Sequence, residues 1–275
     1  MNRQNLLKVL LYAVLIGYSI VTFLPFAWAL SASFKPLAEI GAGGANFLPQ
    51  NFTLDNYRQI LLESGLFGRW FFNSAFVAIC VTGLNLIFNS MAGYALARVR
   101  FPGNQLMFGM ILAVLMVPGQ VTLIPTFLIL KNLGWLNTYQ GLIVPNAVNA
   151  TFIFMMRQFF VSFPQELEEA AALDGLSRFE TFWQIVMPLA KPALAAQAIF
   201  IFMGAWNGFL MPLMILSRSE MFTLPLGLNT FKGQYISYWN YIMAASMVFT
   251  LPALGIYAFF NRYFISGVTF TGGKG

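Results

Sequence analysis

The chain has no histidine and a single cysteine, and only 9% of its 275 residues are charged. Without histidine the commonest catalytic base and metal ligand is missing. Cys80 lies inside an apolar run, which excludes a disulfide framework and a thiolate metal site. Soluble domains are about a quarter charged. This chain is 59% hydrophobic with a mean hydropathy of +0.71, so water is not its main solvent. No G-x-x-x-x-G-K-[ST] occurs, and the terminal "GGKG" lacks both that spacing and a following helix, so the chain carries no nucleotide loop of its own. Acidic residues are absent from the apolar runs. A charge at a helix centre costs about 2.5–3.5 kcal/mol on insertion scales, and those that persist there usually carry ions or protons. Their absence weighs against a proton-coupled carrier and against a charge-ring channel. The net charge of +6 requires no nucleic acid, because loop Lys and Arg set membrane orientation.

What is present is apolar length. Several runs exceed about 18 residues, enough to cross a bilayer core, and none shows the short alternating segments of a membrane barrel. The composition predicts an all-α integral membrane protein with about six transmembrane helices, near Leu6–Leu30, Phe72–Ala97, Leu106–Leu130, Gly141–Phe160, Ala193–Leu216 and Trp239–Phe264. The first run is longer than a signal peptide's apolar region and reads as a retained helix. With the N-terminus inside, nine basic residues fall on inner segments and six on outer ones, which places both termini in the cytoplasm. A first external loop, 31–71, contains "NFLPQNFTLDNYRQILL" and reads as partly helical.

Five of the nine acidic residues crowd into one inner loop, 162–188, as Glu166, Glu168, Glu169, Asp174 and Glu180. Locally it reads as two short helices. Ser162 with Gln165 forms a capping-box pattern, with Pro164 in the first turn. The glutamates follow near a helix N-terminus, where the macrodipole favours anions. Gly175 is a natural stop, Ser177 with Glu180 is a second capping box, and Pro188 ends the second helix. Phe179, Phe182, Trp183 and Val186 fall at helical spacing and predict one apolar face. That face suits either a headgroup surface or a partner's groove, and composition does not choose between them.

The series Glu169-Ala170-Ala171, three residues, Gly175, nine residues, Ile185, one residue, Met187-Pro188 resembles the EAA motif of ABC-importer permeases, written EAA-x3-G-x9-I-x-L-P. Met187 in place of Leu is the one departure, and it is apolar and similar in volume. "ALARVRFPG", "GAWNGFLMPL" and the terminal "GVTFTGGKG" resemble the maltose-type carbohydrate permeases. The resemblance implies a type I ABC importer permease fold comprising one transmembrane domain, 1–275, in a bacterial inner membrane. It implies a transport subunit that is not an enzyme and binds no cofactor, with ATP and Mg held by two partner ATPase subunits. A second permease subunit and an external solute-binding protein would complete the assembly. Coupling to the ATPase would fall to Glu169, Ala170, Ala171, Asp174, Gly175, Phe179, Ile185 and Pro188, and the glycine-rich end of the cytoplasmic tail, 265–275, resembles from Thr271 to Gly275 the segment that would reach between the ATPase subunits.

Polar residues inside spans mark where a solute would pass. Pro118 and Pro125 should break the third span and free carbonyls near Gln120. Asn146 and Asn149 share a face at i, i+3. Trp206 and Asn207 pair a stacking surface with an amide, the contacts a sugar's CH face and hydroxyls use. Against these stands a bland reading, in which membrane amides glue helices and Gly204-x-x-x-Gly208 is a packing seam. Asn85, Asn89 and Tyr94 read as structural. A neutral pathway suits an uncharged polyol better than an anion. An ion-coupled carrier would need an ionisable group at midplane, and a membrane enzyme would have only the loop acids to work with.

Overall fold

A computed structural model describes residues 3–41, 46–63, 65–233 and 237–271, with side chains from Asn5 to Phe260 within those ranges. Regular structure among them is helical, apart from an isolated antiparallel bridge between Lys232 and Ser237. Three helices are long and apolar enough to cross a membrane unbroken: α1 (Arg3–Ala32), α2 (Phe67–Arg98) and α12 (Trp239–Thr271). Each of the other three expected spans is divided.

The expected third span becomes α3 (Asn104–Leu115) and α4 (Leu123–Asn132). Pro118-Gly119 makes the break, with Val121 N–H bonding to the Pro118 carbonyl at 3.0 Å. Pro125 falls in the first turn of α4, where a missing N–H is harmless. The expected fourth span becomes α5 (Tyr139–Ile143), a 3₁₀ turn at Val144–Asn146 and α6 (Ala150–Val161). Asn149 restarts the helix there, its side chain accepting from Thr151 N–H at 2.9 Å. The fifth becomes α9 (Lys191–Trp206) and α10 (Leu210–Ile215), parted at Asn207-Gly208-Phe209. Between α6 and α9 lie α7 (Gln165–Leu173) and α8 (Arg178–Leu189), and α8 meets α9 at a 78° bend. The short α11 (Leu224–Asn229) precedes α12.

Contacts gather into two compact units. The first holds residues 1–68 and 227–251. Its centre is Asn56, only 3% exposed, whose amide donates to the carbonyls of Ser33 and Lys35 at 2.9 and 2.8 Å and accepts from Asn240 at 2.7 Å. The loop expected to be external folds about this point. Phe34 stacks on Phe52, and Glu39 accepts the N–H groups of Gln50 and Asn51 at 2.9 and 3.0 Å. These bonds, led by Gln50, hold the Glu39 carboxyl below its ordinary value. Helix α1 exposes apolar side chains on every side, the pattern of a helix solvated by lipid.

The second unit holds residues 69–226 and 252–275. One core cluster joins Val77 and Val81 of α2 to Leu142, Ile201, Ile215 and Leu216. Another joins Tyr94 to Met156, Phe160, Phe182 and Val186. Between them α2 and α6 nearly touch: a Cβ added to Gly93 would lie 2.7 Å from Met156 Cβ and 2.9 Å from Arg157 N. The backbone of the expected tail segment, 265–275, is helical to Thr271, and the remainder lies outside the described residues.

Candidate functional site

Midway along α2 a ladder of amides begins. Gln197 on α9 donates to the Asn85 carbonyl at 2.9 Å, and Asn85 donates across to the carbonyl of Asn146 at 2.6 Å. One turn on, Asn89 donates to Asn85 Oδ1 at 2.9 Å and accepts the N–H of Asn149 at 3.1 Å. Asn85, Asn89 and Gln197 are buried. The ladder thus satisfies backbone groups that the break at 144–149 releases, as irregular backbone at membrane depth requires. Asn85 and Asn89 are structural as the sequence suggests, but Asn85 also lines a cavity.

That cavity has a volume of about 290 Å³ and is walled by Asn85, Asn146, Asn149, Phe152, Phe200, Gly204 and Thr223. Its polar groups are amides and one hydroxyl, with no ionisable residue among the described residues that line it. Of the pathway residues expected from sequence, the structure brings together Asn146 and Asn149. They meet through a 3₁₀ turn and an N-cap rather than on one continuous helix. Trp206 is fully buried between Phe202, stacked at 5.8 Å, and Phe71, edge-on at 5.5 Å, and does not line the cavity. Asn207 is exposed and turns its amide back to the Met203 carbonyl. Gln120 is exposed in the α3–α4 turn, apart from this cavity. Gly204, which the bland reading put in a packing seam, lines the cavity, with nothing within 4 Å of where a Cβ would be.

At the far end of α2 stands the acidic elbow formed by α7 and α8. Ser162 does not cap α7, because it is the C-terminal cap of α6 and donates to the Phe159 carbonyl; Pro164, with extended ψ, takes the N-cap position. Asp174 is the C-cap, and Gly175 turns the chain with φ +83°. There Leu176 N–H reaches the Ala171 carbonyl at 3.0 Å and Gly175 N–H the Ala172 carbonyl at 3.1 Å, a Schellman closure. Ser177 and Glu180 form the expected reciprocal box, and bonds from the Ser177 hydroxyl and then its N–H lower the Glu180 carboxyl below its ordinary value.

The single apolar face expected of α8 is split. A π turn at Phe182–Val186 rotates Phe182 and Val186 into the core and leaves Phe179 63% and Trp183 37% exposed, edge to face at 6.1 Å. Pro188 does not end the helix, which runs one residue further to Leu189; the π turn just upstream accommodates the proline. Among the residues expected to couple, Ala171 is buried, Ile185 is half-buried, and Glu169, Ala170, Asp174, Phe179 and Pro188 are exposed. Leu173, next to Asp174, is 89% exposed.

One contact was not anticipated. Glu168, not Glu169, reaches back to α2: its Oε1 lies 3.1 Å from Arg98 Nε, and its other oxygen accepts from Tyr94 Oη at 3.2 Å. Arg98 also donates to the Phe163 carbonyl. Its side chain is only 8% exposed, so the pair ties α7 to the end of α2 at a partly desolvated point. Sequence offered only that Arg98 ends a span.

Broken apolar helices around a neutral cavity, with an exposed elbow fastened to a spanning helix, define a membrane-embedded transport subunit. The model of the family described as binding-protein-dependent transport system inner membrane component matches residues 89–269, and the chain belongs to that family. It is 37% identical to the arabinooligosaccharides transport system permease protein AraQ of Halalkalibacterium halodurans, over 99% of this chain and all of that one. It is 32% identical to the trehalose/maltose transport system permease protein MalG of Thermococcus litoralis, over 98% of each. Among solved structures, a chain of a bacterial ABC transporter involved in import of the acidic polysaccharide alginate superposes with a TM-score of 0.85 at 26% identity, covering 96% of this chain and 99% of that one.

Proposed function

We propose that this chain is one transmembrane subunit of an ATP-driven importer of uncharged oligosaccharides or polyol glycosides, seated in a bacterial inner membrane. It pairs with a second permease subunit to enclose the pathway. An external binding protein delivers the sugar, and two ATPase subunits below hold ATP and Mg. The observation that carries this reading is the elbow: its outer surface, Glu169, Ala170, Leu173, Asp174 and Phe179, is exposed, while its inner surface is bonded to α2. An exposed apolar patch of this kind marks a docking surface, and the inward tie gives movement there a path to the spans.

Membership of a binding-protein-dependent family supports the external partner. The sugar class is supported by the names of the relatives, and the absence of charge by the amide lining of the cavity, since an anion calls for Arg or Lys. When ATP closes the ATPase pair, the elbow is drawn inward and the cavity changes access; hydrolysis resets it. The chain makes and breaks no bonds.

The test uses two exposed changes, Glu169→Lys with Phe179→Asp, in the full complex. ATPase subunits should no longer co-purify, and ATP-dependent uptake should be lost, with insertion of the spans unchanged. Wild-type co-purification and uptake would overturn the docking surface. A second variant, Gly204→Met, fills the cavity and should lower uptake while the ATPase stays bound.

A further inference from the structure

We propose that the chain carries a site for the phosphate of an anionic phospholipid headgroup, in the cleft between the end of α2 and the start of α3. A cavity of about 850 Å³ opens there, lined by Arg98, Arg100, Arg157, Asn104, Gln105 and Gln165. Its charge is unbalanced. Arg98 is engaged by Glu168 and the Phe163 carbonyl. Arg100 and Arg157 have no acid within ion-pair distance among the described residues. Arg157 Cζ lies over the Phe108 ring, 3.8 Å from its centroid, and its buried Nε finds no acceptor among the described residues. A guanidinium drawn to a ring by its charge still carries N–H donors, and its fork matches phosphate geometry.

Helix α3 adds to this. It begins after Gly103, which has no side chain to cap it, and the N–H groups of Gln105 and Leu106 meet no acceptor among the described residues. Such a terminus favours an anion. The occupant is a lipid rather than a free ion because the cleft is amphiphilic. Leu106, Met107 and Met110 run along α3 away from the arginines with half or more of their surface exposed, as a bed for acyl chains. The place also fits, since the cleft sits at the turn where one apolar helix ends and the next begins. Basic pockets of this kind between membrane helices bind anionic headgroups.

The experiment places the full complex in nanodiscs of phosphatidylcholine, alone or doped with phosphatidylglycerol. Retained phosphatidylglycerol is counted by native mass spectrometry, and thermal stabilisation is titrated against its content. The wild type should be stabilised and retain the anionic lipid. Arg100→Gln, at an exposed position, should raise the content needed for half-maximal stabilisation about fivefold, and Arg100→Gln with Arg157→Gln about 25-fold, as the loss of one and two surface arginines implies. Melting in pure phosphatidylcholine reports whether each variant folds, and the single variant decides if the double one does not. Equal retention by variant and wild type would overturn the site. So would stabilisation by inorganic phosphate alone, which would make the ligand a free anion. So would an equal effect of Lys131→Gln on α4, which would make the attraction general surface charge.

Discussion

Two stretches of α2 bond to their neighbours with opposite chemistry, one to the break that precedes α6 and the other to α7. Around Asn85 and Asn89 the contacts are neutral amides bonded to broken backbone; at Arg98 the contact is an ion pair beside an aromatic cluster. The difference follows from depth. In the middle of a span an amide can be satisfied without stripping an ion of water, whereas a charge there meets the full cost of the hydrocarbon. At the end of the helix one carboxylate can stay partly hydrated, as Glu168 does, and an ion pair becomes tolerable. The amides fix the cavity wall, and the pair fastens a separate element, the elbow, to the same helix.

Breaking the charged stretch should have the largest effect. Arg98→Ala leaves Glu168 without its partner and should lower stability by about 3 kcal/mol, the small end for breaking a buried pair because Glu168 keeps some solvent. Arg98→Met with Glu168→Leu should restore most of it in thermal melts, and failure to recover would mean the pair supplies more than its own neutralisation. Gly93→Ala comes next. Its methyl would press on Met156 and the Arg157 backbone, and overpacking should cost about 2 kcal/mol, with α6 losing amide-exchange protection. In the neutral stretch, Asn89→Leu strands the Asn149 N–H and Asn85 Oδ1 and should cost about 1–2 kcal/mol. If that change were silent, the ladder would be incidental to the break. The smallest effect lies at Glu39. Because the folded carboxyl of Glu39 is held below 4.5, its contribution is complete above that pH and fades as pH falls through the lower folded value. Protection of the Gln50 and Asn51 N–H groups, relative to the intrinsic exchange rate at each pH, should therefore fall on acidification below about 4.5, and Glu39→Gln should flatten that dependence.

Local signals were legible in the sequence and distant ones were not. The Ser177–Glu180 box, the Gly175 turn and the Pro118-Gly119 break each depend on residues within a turn of one another, and each is present. The Ser162 box fails because α6 runs on to claim that serine first. The apolar face of α8 splits because a π turn shifts the phase by which the spacing was read. Trp206 lies away from the cavity and Gly204 lines it for a similar reason: which side of α9 faces a void depends on what Phe71 and Phe202 fill. Of the three acids on α7 the motif drew the eye to Glu169, yet Glu168 is the one that Arg98 reaches.

By itself the sequence determined a lipid-solvated chain with no charge at depth, no nucleotide loop and an acidic elbow, because composition and short-range spacing act without any partner in space. Tertiary structure alone decided which amides face a cavity, which glutamate meets an arginine, and where two further arginines are left without an acid. Those outcomes depend on residues far apart in the chain being brought within bonding distance, and no local pattern records that approach.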